Sequence, residues 1–184
     1  MTTNPPPGPD SSDGAPAPMG TQATVNGTPG GQPLSPAYAI AFKGVNDAAY
    51  PNQISVFISD IDNLCELART GGQASFGAMI FVLGQTDSAA PPVGPGTYTA
   101  TGSPDEGNLG YYNGVTLLPP GNNGVCGGTF IAGADGSSVV VSGAGASITG
   151  TFDVTFGPDH VTGSFDAPLC NLDRSADAGA LFCL

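Results

Sequence analysis

Tryptophan is absent from this sequence, histidine occurs once, and lysine and arginine together number only 3. Aspartate and glutamate number 15, so the formal net charge is −12. A chain this acidic cannot neutralise phosphate groups, so we expect no binding to nucleic acid and repulsion from anionic lipid headgroups. The acidity is typical of a soluble extracellular protein. A more specific explanation of the acidic residues is a Ca²⁺ site, because Ca²⁺ takes oxygen ligands.

Long apolar runs are also missing. No stretch reaches the roughly 18 apolar residues of a transmembrane helix, so we expect no membrane-spanning segment. No signal peptide is visible, because Met1 leads directly into polar sequence. We interpret this start as the replacement of a removed export signal.

The chain contains four cysteines, at positions 65, 126, 170 and 183. None forms a C-x-x-C pair, and the single His160 has no cysteine at zinc-ligand spacing, so a zinc site is not expected. The even number and wide spacing favour two disulfides and an oxidising location, outside the cell or at its surface. Three connectivities are open. We favour Cys65–Cys170 with Cys126–Cys183, because Cys65 and Cys170 each close a strand-bearing stretch and Cys183 ends a tail that needs pinning.

Residues 1–35 are rich in proline and glycine and nearly free of large apolar side chains. Such a segment cannot bury enough surface to offset the entropy lost on ordering, so we predict a flexible linker arm. Within the arm, Ala23, Thr24, Val25 and Asn26 could act as a strand. By pairing with an open sheet edge of a neighbouring copy, this stretch would provide self-association.

Residues 36–184 read as a single all-β domain. The stretch 53–59 is rich in β-branched residues, and 77–84 is a continuous apolar run between glycines, typical of a buried strand. About eight to ten short strands separated by turn residues predict an antiparallel β-sandwich or jelly-roll-like domain. One short helix is expected over 62–69, and a bulge is expected at Gly150.

Three stretches carry a resemblance to a known group: ISVFISDIDNLCELA, PGTYTATG and GTFDVTFGPDHVTGSFDAPLC. In this order, and over residues 37–170, the chain resembles predicted secreted β-rich lipoproteins of Gram-negative soil bacteria. The resemblance implies export and a β-sandwich. It also implies that residues 1–35 are the linker that joins such a domain to a lipidated cysteine, so that a lipid anchor is missing from this sequence. It supplies no catalytic residues.

No constellation of residues predicts catalysis. His160 lies in an expected hairpin turn, without a nucleophile motif nearby. Asp153 and Asp166 recur in two G-x-F-D stretches and are the candidates for a hydrolytic carboxylate pair on neighbouring strands. Neither arrangement outweighs the simpler interpretation of solvated surface residues.

Asp60, Asp62 and Asn63 form a D-x-D-N stretch that could contribute to a weak Ca²⁺ site. The glycine and the distal glutamate of an EF-hand loop are missing, and capping of the short helix by Asp60 or Asp62 is the simpler interpretation. We therefore expect no cofactor and at most weak Ca²⁺ binding.

These observations favour an exported, non-enzymatic surface module with a structural, adhesive or binding role, carried on a flexible tether. A second hypothesis is a subunit of an extracellular filament that uses its N-terminal arm for strand addition. A third is a secreted hydrolase. An arm lying on another subunit would select the second hypothesis, and a deep cleft with converging carboxylates would select the third.

Overall fold

In the computed structural model, the described residues are 17–43, 52–70, 74, 76–84, 91–100, 114–122, 131–132 and 136–171, with the backbone alone for 114–122 and 131–132. Helix α1 spans Leu64–Thr70, and a short 3₁₀ turn covers Pro29–Gly31. The strands formed by these residues are β1 (Thr21–Gln22), β2 (Thr24–Asn26), β3 (Tyr38–Lys43), β4 (Ile54–Ser59), β5 (Phe76–Leu83), β6 (Gly96–Thr99), β7 (Gly114–Asn122), β8 (Ile131–Ala132), β9 (Ser138–Ala144), β10 (Ser147–Phe156) and β11 (Asp159–Cys170).

The strands form one curled sheet in the order β6-β9-β10-β11-β3-β4-β5-β7-β8, with β1 beside β3 and β2 beside β11. The sheet folds back on itself into two layers. We call them the outer sheet (β2, β6, β9, β10 and most of β11) and the inner sheet (β1, β3, β4, β5, β7 and β8). Strand β11 joins the layers, because Leu169 and Cys170 at its end pair with β3.

The β11–β3 pair is parallel, whereas all the other pairs among the described strands are antiparallel. This differs from the purely antiparallel sandwich that we predicted. A tight hairpin forces neighbouring strands to be antiparallel. Because β3 and β11 lie at opposite ends of the domain sequence, no hairpin constrains their direction.

The central strands β4 and β5 of the inner sheet are enclosed on both faces, and every residue of these two strands is buried. One face packs against the outer sheet, where the ring of Phe81 lies 5.2 Å from that of Phe152 and 6.2 Å from that of Phe165. The other face is covered by the apolar side of α1. A strand enclosed in this way reads as a continuous apolar run rather than as an alternating one. The predicted all-β, sandwich-like fold with one short helix is confirmed.

The predicted disulfide between Cys65 and Cys170 is present. It joins the first turn of α1 to the last residue of β11, with the two Cα atoms 5.7 Å apart. Both side chains are fully buried, so the bond fastens the helix to the face that it covers. Cys126 and Cys183 lie outside the described residues, and their pairing stays a prediction.

Two G-x-F-D stretches lie opposite each other in the β10–β11 hairpin. The register pairs Phe152 with Gly163 and Gly150 with Phe165. Each phenylalanine ring therefore covers the glycine across from it, and a Cβ atom at Gly150 would lie only 2.9 Å from Cζ of Phe165. A Cβ atom at Gly163 would overlap the ring of Phe152 and the carbonyl oxygen of Thr24. Antiparallel pairing reverses the order of one G-x-F-D stretch relative to the other, so the glycine of each stretch lies opposite the phenylalanine of the other.

A bulge is present at the predicted position, beside Gly150 in the pairing between β10 and β9, but it does not lie in β10, the strand for which it was predicted. Thr149 pairs with Gly143, whereas Gly150 pairs with Val141. The extra residue is therefore Ser142 on β9, and β10 keeps one alternation of buried and outward residues through the glycine. Such a bulge increases the local twist of the two strands.

The linker prediction does not hold for residues 21–26. They form β1 and β2, of which β1 pairs with β3 in the inner sheet and β2 pairs with β11 in the outer sheet. Between the two strands, the amide of Ala23 donates a hydrogen bond of 2.8 Å to the carbonyl oxygen of Ala37. Leu34 is also buried in the core. The packed structure therefore begins before the predicted boundary at residue 36.

Candidate ligand-binding surface

The exposed face of the outer sheet carries short polar side chains at regular spacing. Along β10, the even-numbered residues from Ile148 to Phe156 are buried, because successive strand residues point to opposite faces. The odd-numbered residues Thr149, Thr151, Asp153 and Thr155 face away from the core. Their partners on β11 share that face and are Asp166, Ser164, Thr162 and His160.

A hollow of about 410 Å³ lies on this face, across β2, β9, β10 and β11. We call it the outer hollow. Its side-chain lining combines hydroxyl groups, one amide, one carboxylate and one exposed aliphatic group, contributed by Thr24, Asn26, Ser138, Val140, Thr151, Asp153 and Thr162. The volume falls within the range of about 300–1,000 Å³ that is usual for small-molecule sites.

One wall of the outer hollow is held in place by hydrogen bonds between β2 and β11. The hydroxyl oxygens of Thr24 and Ser164 lie 2.7 Å apart, and the amide of Ser164 donates to the Thr24 hydroxyl oxygen at 3.0 Å. Asn26 pairs with Thr162 in the same ladder. Side chains anchored to a strand ladder are positioned more rigidly than side chains on a loop.

The side chains of Asp153 and His160 are hydrogen-bonded to each other at the edge of the outer hollow. His160 Nε2 lies 2.7 Å from Asp153 Oδ1, and the two side chains are 62% and 66% exposed. A polar contact this exposed contributes little to stability, because water competes for both side chains. The contact orients the carboxylate of Asp153 beside the hydroxyl groups of the hollow.

The two aspartates considered for hydrolysis do lie on neighbouring strands, but not opposite each other. Asp153 pairs with Thr162, and Asp166 pairs with Thr149. The carboxylates are thus offset by four residues along the strands, or about 13 Å at the usual rise of a β-strand. The carboxyl pairs of glycoside hydrolases are separated by about 5–9.5 Å. This pair of carboxylates does not fit that reaction.

The order of the side chains on this face also rules out a Ser-His-Asp catalytic triad. Ser138 pairs directly with Asp153 across β9 and β10, and Asp153 contacts His160. The carboxylate therefore lies between the hydroxyl and the imidazole. A catalytic triad needs the imidazole in the middle, where it takes the proton from the nucleophile.

The residues predicted as weak Ca²⁺ ligands, Asp60, Asp62 and Asn63, make contacts within the fold, and their binding of Ca²⁺ stays a prediction. The amide of Gly77 donates to Oδ1 of Asp60 at 3.0 Å, which ties the end of β4 to β5. The carbonyl oxygen of Asp62 accepts a hydrogen bond of 2.8 Å from the amide of Gly20. Asn63, rather than Asp60 or Asp62, directly precedes α1, and its carbonyl oxygen accepts the bond from Leu67.

A metal centre finds no support in the described part of the chain. No group of three or more His, Cys, Asp or Glu side chains there could hold a metal ion. The same residues include no helix that is long and apolar enough to cross a membrane.

The stretch predicted for strand addition, Ala23 to Asn26, pairs within its own chain. Thr24, Val25 and Asn26 are opposite Ser164, Gly163 and Thr162 of β11, and Ala23 is buried in the core between the sheets. These contacts occupy the backbone groups on the edge of β2 that faces β11. Strand exchange between copies stays a prediction, and it would first have to break this pairing.

A double cysteine variant distinguishes pairing within one chain from pairing between copies. Because the Thr24 and Ser164 hydroxyl oxygens are 2.7 Å apart, cysteines at both positions lie within disulfide reach. We expect Thr24→Cys/Ser164→Cys to form an internal disulfide on mild oxidation and to run as a monomer on non-reducing gels. A mixture of the two single variants, one carrying a size tag, should give no covalent heterodimer. A strong heterodimer band would show instead that β2 is exchanged between copies.

Sequence reasoning did not single out the lining of the outer hollow, apart from Thr24, Asn26 and Asp153. A signal was present in the alternation of Thr149, Thr151, Asp153 and Thr155 with apolar residues, which marks a polar face of an antiparallel strand. The residues that lie beside them on the neighbouring strands could not be predicted from the sequence, because they depend on the register of strand pairing. No protein-family model, no curated protein and no solved structure matches this chain.

Proposed function

We propose that this protein is an exported, non-enzymatic binding module that holds a neutral, hydroxyl-rich ligand, such as a glycan, in the outer hollow. The observation that carries the proposal is the lining of this hollow. Hydroxyl groups, an amide and a carboxylate lie around the exposed side chain of Val140 on this face of the outer sheet.

The chemistry of the lining favours a polyhydroxyl ligand. The carboxylate of Asp153 accepts hydrogen bonds, the amide of Asn26 both donates and accepts, and the hydroxyl groups do either. Val140, which is 41% exposed, offers an aliphatic surface for the C–H face of a sugar ring. A polar site of this kind rejects apolar ligands, because its groups would be left unpaired.

The charge of the chain narrows the ligand class. At a net charge of −12, the protein repels polyanions such as nucleic acids and sulfated glycans.

Export forms the second part of the proposal. It is supported by the disulfide between Cys65 and Cys170, because such bonds persist mainly in oxidising compartments.

Screening of the full chain against immobilised neutral oligosaccharides tests the proposal, followed by calorimetry with the best ligand. We expect Asp153→Asn to weaken binding about 10-fold or more, because hydrogen bonds to charged groups contribute about 1.5–3 kcal/mol. Thr151→Val, which keeps the shape and removes the hydroxyl group, should weaken binding about 5-fold. Raising the salt concentration should have little effect, because the ligand is uncharged.

Thr97→Val is the matched control, because Thr97 is exposed on the same sheet but lies outside the outer hollow. It should bind as the wild type does. Equal affinities of Thr151→Val, Asp153→Asn and the wild type would place the ligand elsewhere and contradict the proposal. Steep weakening by salt would contradict the choice of a neutral ligand.

A further inference from the structure

A second concave site lies at one end of the sandwich, where the inner and outer sheets separate. We call it the end cleft. It has a volume of about 180 Å³ and is bounded by the end of β3, the segment before β6, the β9–β10 turn and the end of β11. It shares no lining residue with the outer hollow.

The walls of the end cleft are mainly apolar and continue the core between the sheets. Ile54, Val93 and Ile148 belong to that core, and Leu169 packs against it. Ala144 is exposed at the edge of the cleft. An aliphatic group entering here would leave water and contact side chains that are already part of the hydrophobic core.

Lys43 is the one cationic residue of the end cleft. In β3 the odd-numbered residues Ala39 and Ala41 face the core between the sheets, so Lys43 occupies the next position on that face. It is exposed and forms no ion pair with another residue in the part of the chain that the structure describes. Lys43 is also the only lysine of a chain with 15 acidic residues. A positive charge at the mouth of an apolar cleft is complementary to an anionic head group on an apolar tail.

The size of the end cleft limits the ligand. Water occupies about 30 Å³ per molecule in the liquid, so a volume of about 180 Å³ corresponds to roughly six groups of that size. This is enough for one short chain and too little for a two-chain lipid. A hydrocarbon alone would have no orienting contact, whereas a carboxylate would gain a charge-assisted hydrogen bond from the ammonium group.

We propose that the end cleft binds a small aliphatic monocarboxylate, with a chain of about six carbons against Ile54, Ile148 and Leu169 and its carboxylate on Lys43. The ligand is a free acid rather than a membrane lipid. This site is independent of the outer hollow, so either proposal can fail without the other.

Titration of the isotope-labelled full chain with hexanoate, followed by the amide signals in NMR spectra, tests this proposal. We expect hexanoate to shift the signals of residues around the end cleft, with a dissociation constant near 1 mM, and to leave those around Thr151 unchanged. Hexanol and hexylamine should bind about 10-fold more weakly, because they lack the charge-assisted contact with Lys43.

Matched variants separate the role of the charge from that of the apolar walls. Lys43→Met keeps a long apolar side chain and should weaken hexanoate binding about 10-fold, whereas Lys43→Arg should keep it. Ala144→Leu should obstruct the cleft and weaken hexanoate and hexanol equally. Because Lys43 and Ala144 are exposed, these variants are expected to fold. If Ala144→Leu does not fold, the Lys43 variants and the head-group series still decide the question.

Three results would overturn the proposal. The first is an absence of shifts at about 20 mM hexanoate, which would place the affinity too low for a ligand site. The second is equal binding of hexanol and hexanoate, and the third is an unchanged affinity in Lys43→Met. If vesicles of neutral lipid shift the same signals while hexanoate does not, the cleft contacts a lipid surface and the free-acid proposal is wrong.

Discussion

Replacing Gly163 by alanine should destabilise the protein by about 3 kcal/mol, although it adds a single methyl group. The new Cβ atom would overlap the carbonyl oxygen of Thr24 and the ring of Phe152. The ring could rotate away, but the oxygen belongs to the backbone of β2, which pairs with β11 at this point. Insertion of Cβ therefore has to separate the two strands.

Thermal and urea unfolding measure this effect. For a domain of this size, about 3 kcal/mol corresponds to a fall in Tm of roughly 6–12 °C. Gly145→Ala is the matched control, because a Cβ atom there meets nothing within 4 Å. The control should stay within about 0.5 kcal/mol of the wild type, as is usual for surface substitutions. If Gly163→Ala were as stable as Gly145→Ala, β2 would not lie against β11 in solution.

Removing the disulfide between Cys65 and Cys170 should cost about 4 kcal/mol. The bond joins residues separated by 105 positions, and loop-closure entropy predicts about 4–5 kcal/mol for a loop of this length, near the upper end of what is measured. Both cysteines are fully buried, so alanine also leaves unfilled space under α1. We expect the Tm of Cys65→Ala/Cys170→Ala to fall by roughly 8–16 °C.

The single variants Cys65→Ala and Cys170→Ala show whether the loss comes from the bond. Because either substitution breaks the disulfide, each should lose nearly as much stability as the double variant. If the two losses simply added, the cysteines would not be bonded to each other. A reductant should destabilise the wild type strongly. Its remaining effect on the double variant would measure the contribution of Cys126 and Cys183.

The positions of most described strands could be predicted from the sequence because the signal is local. The apolar runs of β4 and β5 and the alternation in β10 reflect burial of one or both faces of each strand, and neighbouring residues alone reveal that pattern. The pairing of Cys65 with Cys170 was favoured for a related reason, since each cysteine closes a strand-bearing stretch. The short helix was predicted at 62–69 and lies at Leu64–Thr70.

The role of the N-terminal segment was not predictable in the same way. Its composition of proline, glycine and small polar residues is typical of a linker, because it contributes little apolar surface of its own. What orders residues 21–26 is the pairing with β3 and β11, including contacts with residues about 140 positions away along the chain. Local composition contains no information about such distant partners.

The sequence by itself determined an acidic, all-β chain with a short helix between the apolar runs 53–59 and 77–84, and it contained the G-x-F-D stretch twice without showing that the two copies pair. Only the tertiary structure decided that the two copies cover each other, that β11 passes from one layer into the other, and that Asp153 lies between Ser138 and His160. The outer hollow and the end cleft belong to this second group. Each is assembled from at least four segments of the chain, and its shape depends on strand register, in which a slip of one residue turns every side chain to the opposite face.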